Sequence, residues 1–373
     1  MNEPIRILNL FTIMNRGGAE TMVMNYYRAI DKSKIQFDFM VHRQERGAYD
    51  DEIEAMGGRI FRMCPIYPQN LFRYKRMLKE FFDNNPEYQI LHSHMSELGY
   101  FAFKEAIRHH VPVRICHAHN IPVFRNETTK EKIKRIPREI LAYLIRSIST
   151  DYFACSKEAG VWLFGTKKQT VIMKNAIDTT KFTYSDKIAR EIKGEFNWEN
   201  KYIIGHVGRF APQKNHSFLI DIFYYIQKEI PDSILVLLGE GDLRFQIEKK
   251  VSDLKIEDKV FFLGNRNDVY RFYQAFDVFI FPSLYEGFGN VLLEAQACGI
   301  QSFTSKDVVP QYVNVTPLFH YIPLSYSAED WKSIIIPYMN YQRKNMSKYI
   351  QDNGFDINQN AEWLKNFYLD KLS

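Results

Sequence analysis

Short apolar runs alternate with helix-patterned segments along the whole 373-residue chain, and this alternation leaves few folds open. A run such as Asp277-Val278-Phe279-Ile280-Phe281-Pro282 has the length of a strand and is apolar throughout its interior, so both of its faces must be covered. Strands of that kind separated by helices build parallel α/β sheets. In the first half the pattern predicts strands at Ile5–Ile13, Ile35–Val41, Arg59–Met63, Ile90–Ser93, Val113–His117, Tyr152–Cys155 and Val171–Lys174. Polar and charged residues break the alternation at Asp178–Asn200. A second series then runs through Tyr202–Val207, Ile234–Leu238, Val260–Leu263, Val278–Phe281 and Gln301–Thr304. The expected architecture is two doubly wound, Rossmann-like domains, residues 1–183 and 199–355, facing a cleft. A C-terminal helix at about 356–373 is expected to pack back on the first domain. Ligands of such sheets bind beyond the carboxyl ends of the strands.

Composition narrows the class. An apolar fraction of 46% with 25% charged residues is that of a soluble globular chain, and no window approaches the ~20 apolar residues of a membrane span. The first strand has neither a basic segment before it nor a small-residue cleavage site after it, which predicts a cytoplasmic protein. Cys64, Cys116, Cys155 and Cys298 lack paired spacing, so buried thiols are expected in place of disulfides or structural zinc. The first 180 residues hold 27 Lys+Arg against 20 Asp+Glu, the rest 22 against 24. The excess concentrates in Leu71–Phe82 and Lys130–Arg146, both patterned as amphipathic helices. Their basic faces, with Lys132, Lys134, Arg135 and Arg138 in the second, are either solvated or docked on an anionic membrane surface. No nucleic-acid partner is expected.

Chemistry concentrates at strand ends. After Phe281-Pro282 the chain reads Ser283-Leu284-Tyr285-Glu286-Gly287-Phe288-Gly289-Asn290-Val291-Leu292-Leu293-Glu294, a glycine turn opening a helix between two carboxylates. Gly287 and Gly289 bring backbone N–H groups to a ligand, and hydroxyls or phosphates suit those donors. Gly208-Arg209 and Lys214-Asn215 leave another strand end toward the same side, an arginine fork and a lysine charge that suit a diphosphate. Asn15-Arg16-Gly17-Gly18-Ala19-Glu20 sits at the first strand–helix junction, where two glycines permit close backbone approach. The bland alternatives are a solvated Glu pair, surface charge and a tight turn without a ligand. His92-Ser93-His94 and His117-Ala118-His119 end two strands; they read either as a metal cluster, short of acids beyond Glu97, or as a strand-end histidine facing a sugar, with His119-Asn120 best placed. No Asp-x-Asp triplet is present to hold a diphosphate through a divalent ion, so Arg209, Lys214 and helix N-termini would neutralise it.

Over nearly its whole length the chain resembles glycosyltransferase family 4, retaining enzymes of the GT-B fold, and especially capsular and exopolysaccharide members. The resemblance rests on Gly17-Gly18-Ala19-Glu20, His119-Asn120, Ala154-Cys155-Ser156-Lys157-Glu158-Ala159-Gly160, Asn175-Ala176-Ile177-Asp178, Gly208-Arg209 with Lys214-Asn215, Leu238-Gly239-Glu240-Gly241, and Glu286 to Glu294. It implies that Arg209 and Lys214 grip a donor diphosphate, that Glu294 accepts from ribose hydroxyls, and that Glu286 with the N–H groups of Phe288, Gly289, Asn290 and Val291 contacts the donor sugar. His119 would lie near the reacting sugar, Gly17 and Gly18 near the phosphates and acceptor, and Asn265 and Arg266 near the base. Two departures stand out: Ala176 replaces the family's usual glycine, and Gly289-Asn290 replaces a common Pro-Val.

The implied activity is metal-independent, cofactor-free, retaining transfer from a nucleotide diphosphate-sugar, UDP-sugar favoured, to a lipid-linked or saccharide acceptor in surface polysaccharide assembly. It would take place in the cytoplasm or peripherally on the inner face of the plasma membrane. Other chemistries on such a fold are a nucleotide-sugar epimerase or a phosphorylase. Outside that set stand a histidine-cluster metal hydrolase and a silent binding partner.

Overall fold

The computed structural model describes residues 3–119 and 129–372; of residues 129–136 only the backbone is described. Two compact units emerge, Met1–Ala176 with Ile357–Ser373, and Ile177–Asp356. The first holds strands β1 (Ile5–Phe11), β2 (Ile35–Val41), β3 (Ile60–Arg62), β4 (Ile90–Ser93), β5 (Val113–Ala118), β6 (Asp151–Ala154) and β7 (Val171–Ile172). They form one parallel sheet in the order β3-β2-β1-β4-β5-β6-β7. The second holds β8 (Tyr202–Val207), β9 (Ser233–Leu238), β10 (Val260–Phe262), β11 (Val278–Phe281), β12 (Gln301–Ser305) and β13 (Phe319–Ile322), also parallel, in the order β10-β9-β8-β11-β12-β13. In each sheet the chain reverses its winding beside the first strand, between β1 and β4 and between β8 and β11. Those two switch points are where open α/β sheets bind ligands.

The continuous apolar runs are explained by burial on both faces. Along β11, Phe279 and Phe281 join one core cluster while Val278 and Ile280 join the other. Ile7 and Leu8 divide in the same way on β1. Alternation of side chains across the pleat thus feeds two helix layers from one strand.

The structure amends the sequence expectations in two places. Strand β13, a four-residue edge strand of mixed polarity, had no apolar run to announce it. Residues 178–200, polar in composition, carry helices Thr179–Phe182 and Asp186–Glu195, capped by Asp178 and Ser185, and they belong to the second unit. Helix Leu71–Asn84 does bury an apolar stripe of Tyr74, Leu78, Phe81 and Phe82. Its basic face is partly neutralised, because Lys79 pairs with Asp83 at 2.6 Å and Arg76 with Glu80 at 3.6 Å. In helix Thr129–Ile148 the side chains of Lys132, Lys134 and Arg135 lie outside the described residues, and Arg138 pairs with buried Glu97. Among the described residues no helix is long and apolar enough to cross a membrane. Cys64, Cys116 and Cys298 are buried free thiols and Cys155 is half-buried.

Helix Ile357–Asp370 completes the first unit by burying Ile357, Ala361, Leu364 and Tyr368 in the core that includes Tyr26 and Phe37.

Candidate active site

The two loops beside the β8/β11 switch point are stitched together. The Leu284 amide donates to the Gln213 carbonyl at 2.8 Å, Gln213 Nε2 to the Tyr285 carbonyl at 2.9 Å, and Asn215 Nδ2 to the Pro282 carbonyl at 3.1 Å. This frame places Lys214 Nζ 2.6 Å from Glu286 Oε1 and 4.6 Å from the centre of the Phe281 ring. The side chains are 17% and 5% exposed, so the pair is largely desolvated. Arg209 lies exposed on the same loop, and among the described residues its guanidinium has no ion-pair partner. Gly239, at φ +141°, lets the loop after β9 close in: a Cβ there would sit 2.2 Å from the Gly208 carbonyl oxygen.

The glycine turn then delivers open backbone. Gly289 holds φ +88°, the left-handed conformation that glycine adopts without strain, and helix Asn290–Ala297 starts after it. A Cβ at Gly287 would meet nothing within 4 Å, so the turn faces open space. The first helical amides have no carbonyl one turn back to bond, and the Leu292 amide is the one that returns to the Gly289 carbonyl, at 2.9 Å. Two buried oxygens beside this turn, Ser283 Oγ and Asn290 Oδ1, also lack partners among the described residues. Ser283 was not singled out from sequence, since a serine after a strand reads as punctuation.

Glu294 lies one helical turn on, half-buried. Burial raises its carboxyl to about 7, and the Tyr273 hydroxyl, which also reaches the Val291 carbonyl at 3.2 Å, offsets part of the rise. Arg266 is bound to Asp268 at 2.7 and 2.9 Å and stacked over Phe272, so its guanidinium already has a carboxylate. Asn265 beside it is exposed. Buried His206 places Nδ1 2.8 Å from the Ile280 carbonyl and packs edge-on against His216 under the Lys214 loop. Its Nδ1 faces a carbonyl and therefore carries the proton.

In the first unit, Gly17 precedes helix Gly18–Ala29, and a Cβ at Gly18 would meet nothing within 4 Å. Beyond β4 and β5 the four strand-end histidines form one stacked network. His94 Nδ1 lies 2.9 Å from His119 Nε2, His92 Nε2 lies 3.2 Å from His117 Nδ1, and His92 Nδ1 meets the Tyr368 hydroxyl at 2.8 Å. Nitrogens of His92, His94 and His117 all fall within 4.8 Å of one another, close enough for a metal ion, yet their hydrogen bonds already occupy most of them. Burial pulls His92 and His119 down to about 3, and holds His94 and His117 well below the ordinary imidazole range, so all four are neutral. Asn120 lies outside the described residues.

Tautomers are set by Asn9, which sequence reasoning missed. Its Nδ2 donates to the Ile7 carbonyl at 3.3 Å, which turns Oδ1 toward His94 Nε2 at 3.2 Å. His94 Nε2 therefore carries a proton, its Nδ1 accepts, and His119 donates through Nε2, leaving His119 Nδ1 with its lone pair. The Cys155 thiol fixes the same residue by donating to the His119 carbonyl at 3.1 Å. Asn9→Leu should cost about 1–3 kcal/mol by leaving a buried imidazole N–H unpaired. It should also turn the His94 and His119 imidazole ¹⁵N signals into tautomer mixtures; signals identical to wild type would break the chain.

Comparison with known proteins places the chain in a family. Residues 16–181 match the family described as Glycosyltransferase Family 4, and residues 188–353 match Glycosyl transferases group 1. The chain is 33% identical over 372 residues to the EpsF protein of Bacillus subtilis (strain 168), named as a glycosyltransferase, covering 97% of this chain and 96% of that one. It belongs to glycosyltransferase family 4.

As a family 4 glycosyltransferase it is also similar to the capsular polysaccharide biosynthesis glycosyltransferase CapH of Staphylococcus aureus, 26% identical over 98% of this chain and 99% of that one. Its GT-B fold is shared with Anabaena Alr3699/HepE, solved in complex with UDP, at a TM-score of 0.77 and 17% identity over 98% of this chain and 100% of that one. In this family 4 glycosyltransferase Lys214, Glu286, Gly289 and Glu294 follow β8 and β11 in the second unit, and Gly17, Gly18, His94 and His119 follow β1, β4 and β5 in the first.

Proposed function

We propose that this glycosyltransferase transfers a sugar, with retention of anomeric configuration, from a nucleotide diphosphate-sugar to a saccharide or lipid-linked acceptor in surface polysaccharide assembly. A UDP-sugar is the favoured donor. One observation carries the reading: the desolvated Lys214–Glu286 pair beside unpaired Arg209 and the open amides of the Gly287–Asn290 turn, all at one strand switch. The two cations suit a departing diphosphate, and the turn amides with Glu286 suit sugar hydroxyls. Glu294 is placed to accept from ribose hydroxyls. Support for the donor comes from HepE, solved with UDP and with UDP-glucose. Support for a lipid-linked acceptor comes from the UDP-Gal:alpha-D-GlcNAc-diphosphoundecaprenol alpha-1,3-galactosyltransferase of Escherichia coli, 27% identical over 80% of this chain and 78% of that one.

In the proposed step the bond from the anomeric carbon to the diphosphate breaks as an acceptor oxygen approaches the same face. Arg209 and Lys214 stabilise the leaving charge, and a diphosphate oxygen takes the acceptor proton. Neutral His119 can hydrogen-bond a sugar hydroxyl. Arg209, Lys214 and the turn amides are the groups the proposal assigns to the leaving charge, and it calls on no metal.

A panel of UDP-, GDP-, ADP- and TDP-sugars should raise the melting temperature for one base only. A ligand at 100 times its Kd adds about 2.7 kcal/mol. A flat response across the panel would sink the donor assignment. Product analysis with acceptor separates transfer from epimerisation and phosphorolysis.

A further inference from the structure

After β4 the chain turns sharply at Ser96, which takes φ +48°, and this turn carries Glu97 beneath helix Thr129–Ile148. A cavity of about 360 Å³ opens there within the first unit, lined among others by His94, Ser96, Glu97, Arg138 and Trp162. That is the lower end of the range for small-ligand sites, enough for about one sugar ring. Its chemistry is unusual for a surface dent. Glu97 is 1% exposed, its Oε1 takes the Arg138 Nε–H at 2.5 Å, and its Oε2 has no partner among the described residues. A buried carboxylate oxygen without a donor is costly unless a water or a ligand group supplies the hydrogen bond.

The surrounding groups say which donor fits. Trp162 is half-buried and lines the cavity, and an aromatic ring is the kind of side chain that covers the C–H side of a pyranose. Among the described lining residues Arg138 is the one cation and is already paired with Glu97, while the unpaired carboxylate oxygen repels a phosphate. A plain hydrocarbon would leave Glu97 Oε2 unpaired. Sugar hydroxyls satisfy all three walls. His94, which also lines the cavity, is hydrogen-bonded to His119, so a ring held here lies close to His119.

We infer that this cavity is an acceptor subsite for a single pyranose ring. Glu97 accepts its hydroxyls, Trp162 covers its apolar face, and the ring's outgoing hydroxyl is directed toward His94 and His119. In this cavity it is the sugar of the acceptor, and not its phosphate or lipid, that is read. This rests on the proposed transfer function, and the test keeps the two apart.

Saturation-transfer NMR with the methyl glycosides of glucose, galactose, N-acetylglucosamine and N-acetylgalactosamine should show ring-proton signals from at least one with the full-length protein. Glu97→Gln and Trp162→Leu should each weaken that binding at least tenfold, while calorimetry on the same samples finds UDP affinity unchanged. Melting curves establish that each variant is folded, and either folded variant suffices. If no glycoside binds, or if a folded variant binds as wild type does, the subsite is overturned while UDP binding still supports the donor reading. If a glycoside binds through Glu97 and no nucleotide binds, the subsite stands and the donor reading falls.

Discussion

Changing Lys214 to methionine should lower turnover of the donor by about 10²–10³-fold, the loss usual when one charge-stabilising group is removed from a transfer site. The cation sits 2.6 Å from Glu286 in a pair that is only 17% and 5% exposed. Its removal takes away compensation for the leaving diphosphate and leaves a buried carboxylate alone. Breaking a buried pair by deleting one partner costs about 3 kcal/mol or more, so the melting temperature should fall as well. The two effects separate in the double variant. Lys214→Met with Glu286→Gln should regain most of the lost stability and none of the lost turnover, because charge balance returns but the cation does not. A double variant as unstable as Lys214→Met alone would show that the pair does not act as a unit.

Glu294→Gln should stabilise the ligand-free protein above neutrality while weakening nucleotide binding. The Glu294 carboxyl is raised to about 7 by burial, against an ordinary value near 4.5. The folded protein therefore binds this proton more tightly than the unfolded chain does. The stabilisation is fully present below about pH 4.5 and is lost as pH climbs through 7, an effect of about 1–3 kcal/mol for a side chain that keeps some solvent contact. Glutamine removes that slope. Ribose hydroxyls donate to the ionised form, so nucleotide affinity in the wild type should rise with pH up to about 7, with net proton release on binding at pH 6. Calorimetry in buffers of different ionisation enthalpy measures that release. Nucleotide affinity independent of pH from 5 to 8, or an unchanged affinity in Glu294→Gln, would remove Glu294 from the nucleotide site.

Much of the architecture was legible because buried parallel strands write themselves as unbroken apolar runs. Val278–Phe281 and Tyr202–Val207 announce both the strands and, through the glycines and charges at their carboxyl ends, the loops that carry chemistry. What the sequence could not state was pairing. Lys214 and Glu286 are 72 residues apart and meet because β8 and β11 are neighbours in the sheet. Strand β13 escaped because Phe319-His320-Tyr321-Ile322 mixes polarity at a sheet edge. The histidines were visible as two pairs. Their union into one neutral stack depends on β4 lying beside β5, and on Asn9 and Tyr368, which come from distant parts of the chain. Glu97 looked like a stray acid until its burial was known.

The return of helix Ile357–Asp370 to the first unit has a consequence for biosynthesis. The second unit is an uninterrupted stretch, Ile177–Asp356, so all its residues are synthesised before the first unit has helix Ile357–Asp370. Amino-terminal bodies generally fold first, but this one cannot complete its core until the second unit has been synthesised. Until Leu364 and Tyr368 arrive, Tyr26 and Phe37 face an unfilled side of their core and His92 waits for its hydroxyl. The four-histidine stack of the first unit therefore depends on a helix that the whole second unit separates from β4 in the chain, and no single cut in the chain frees the first unit with its stack intact.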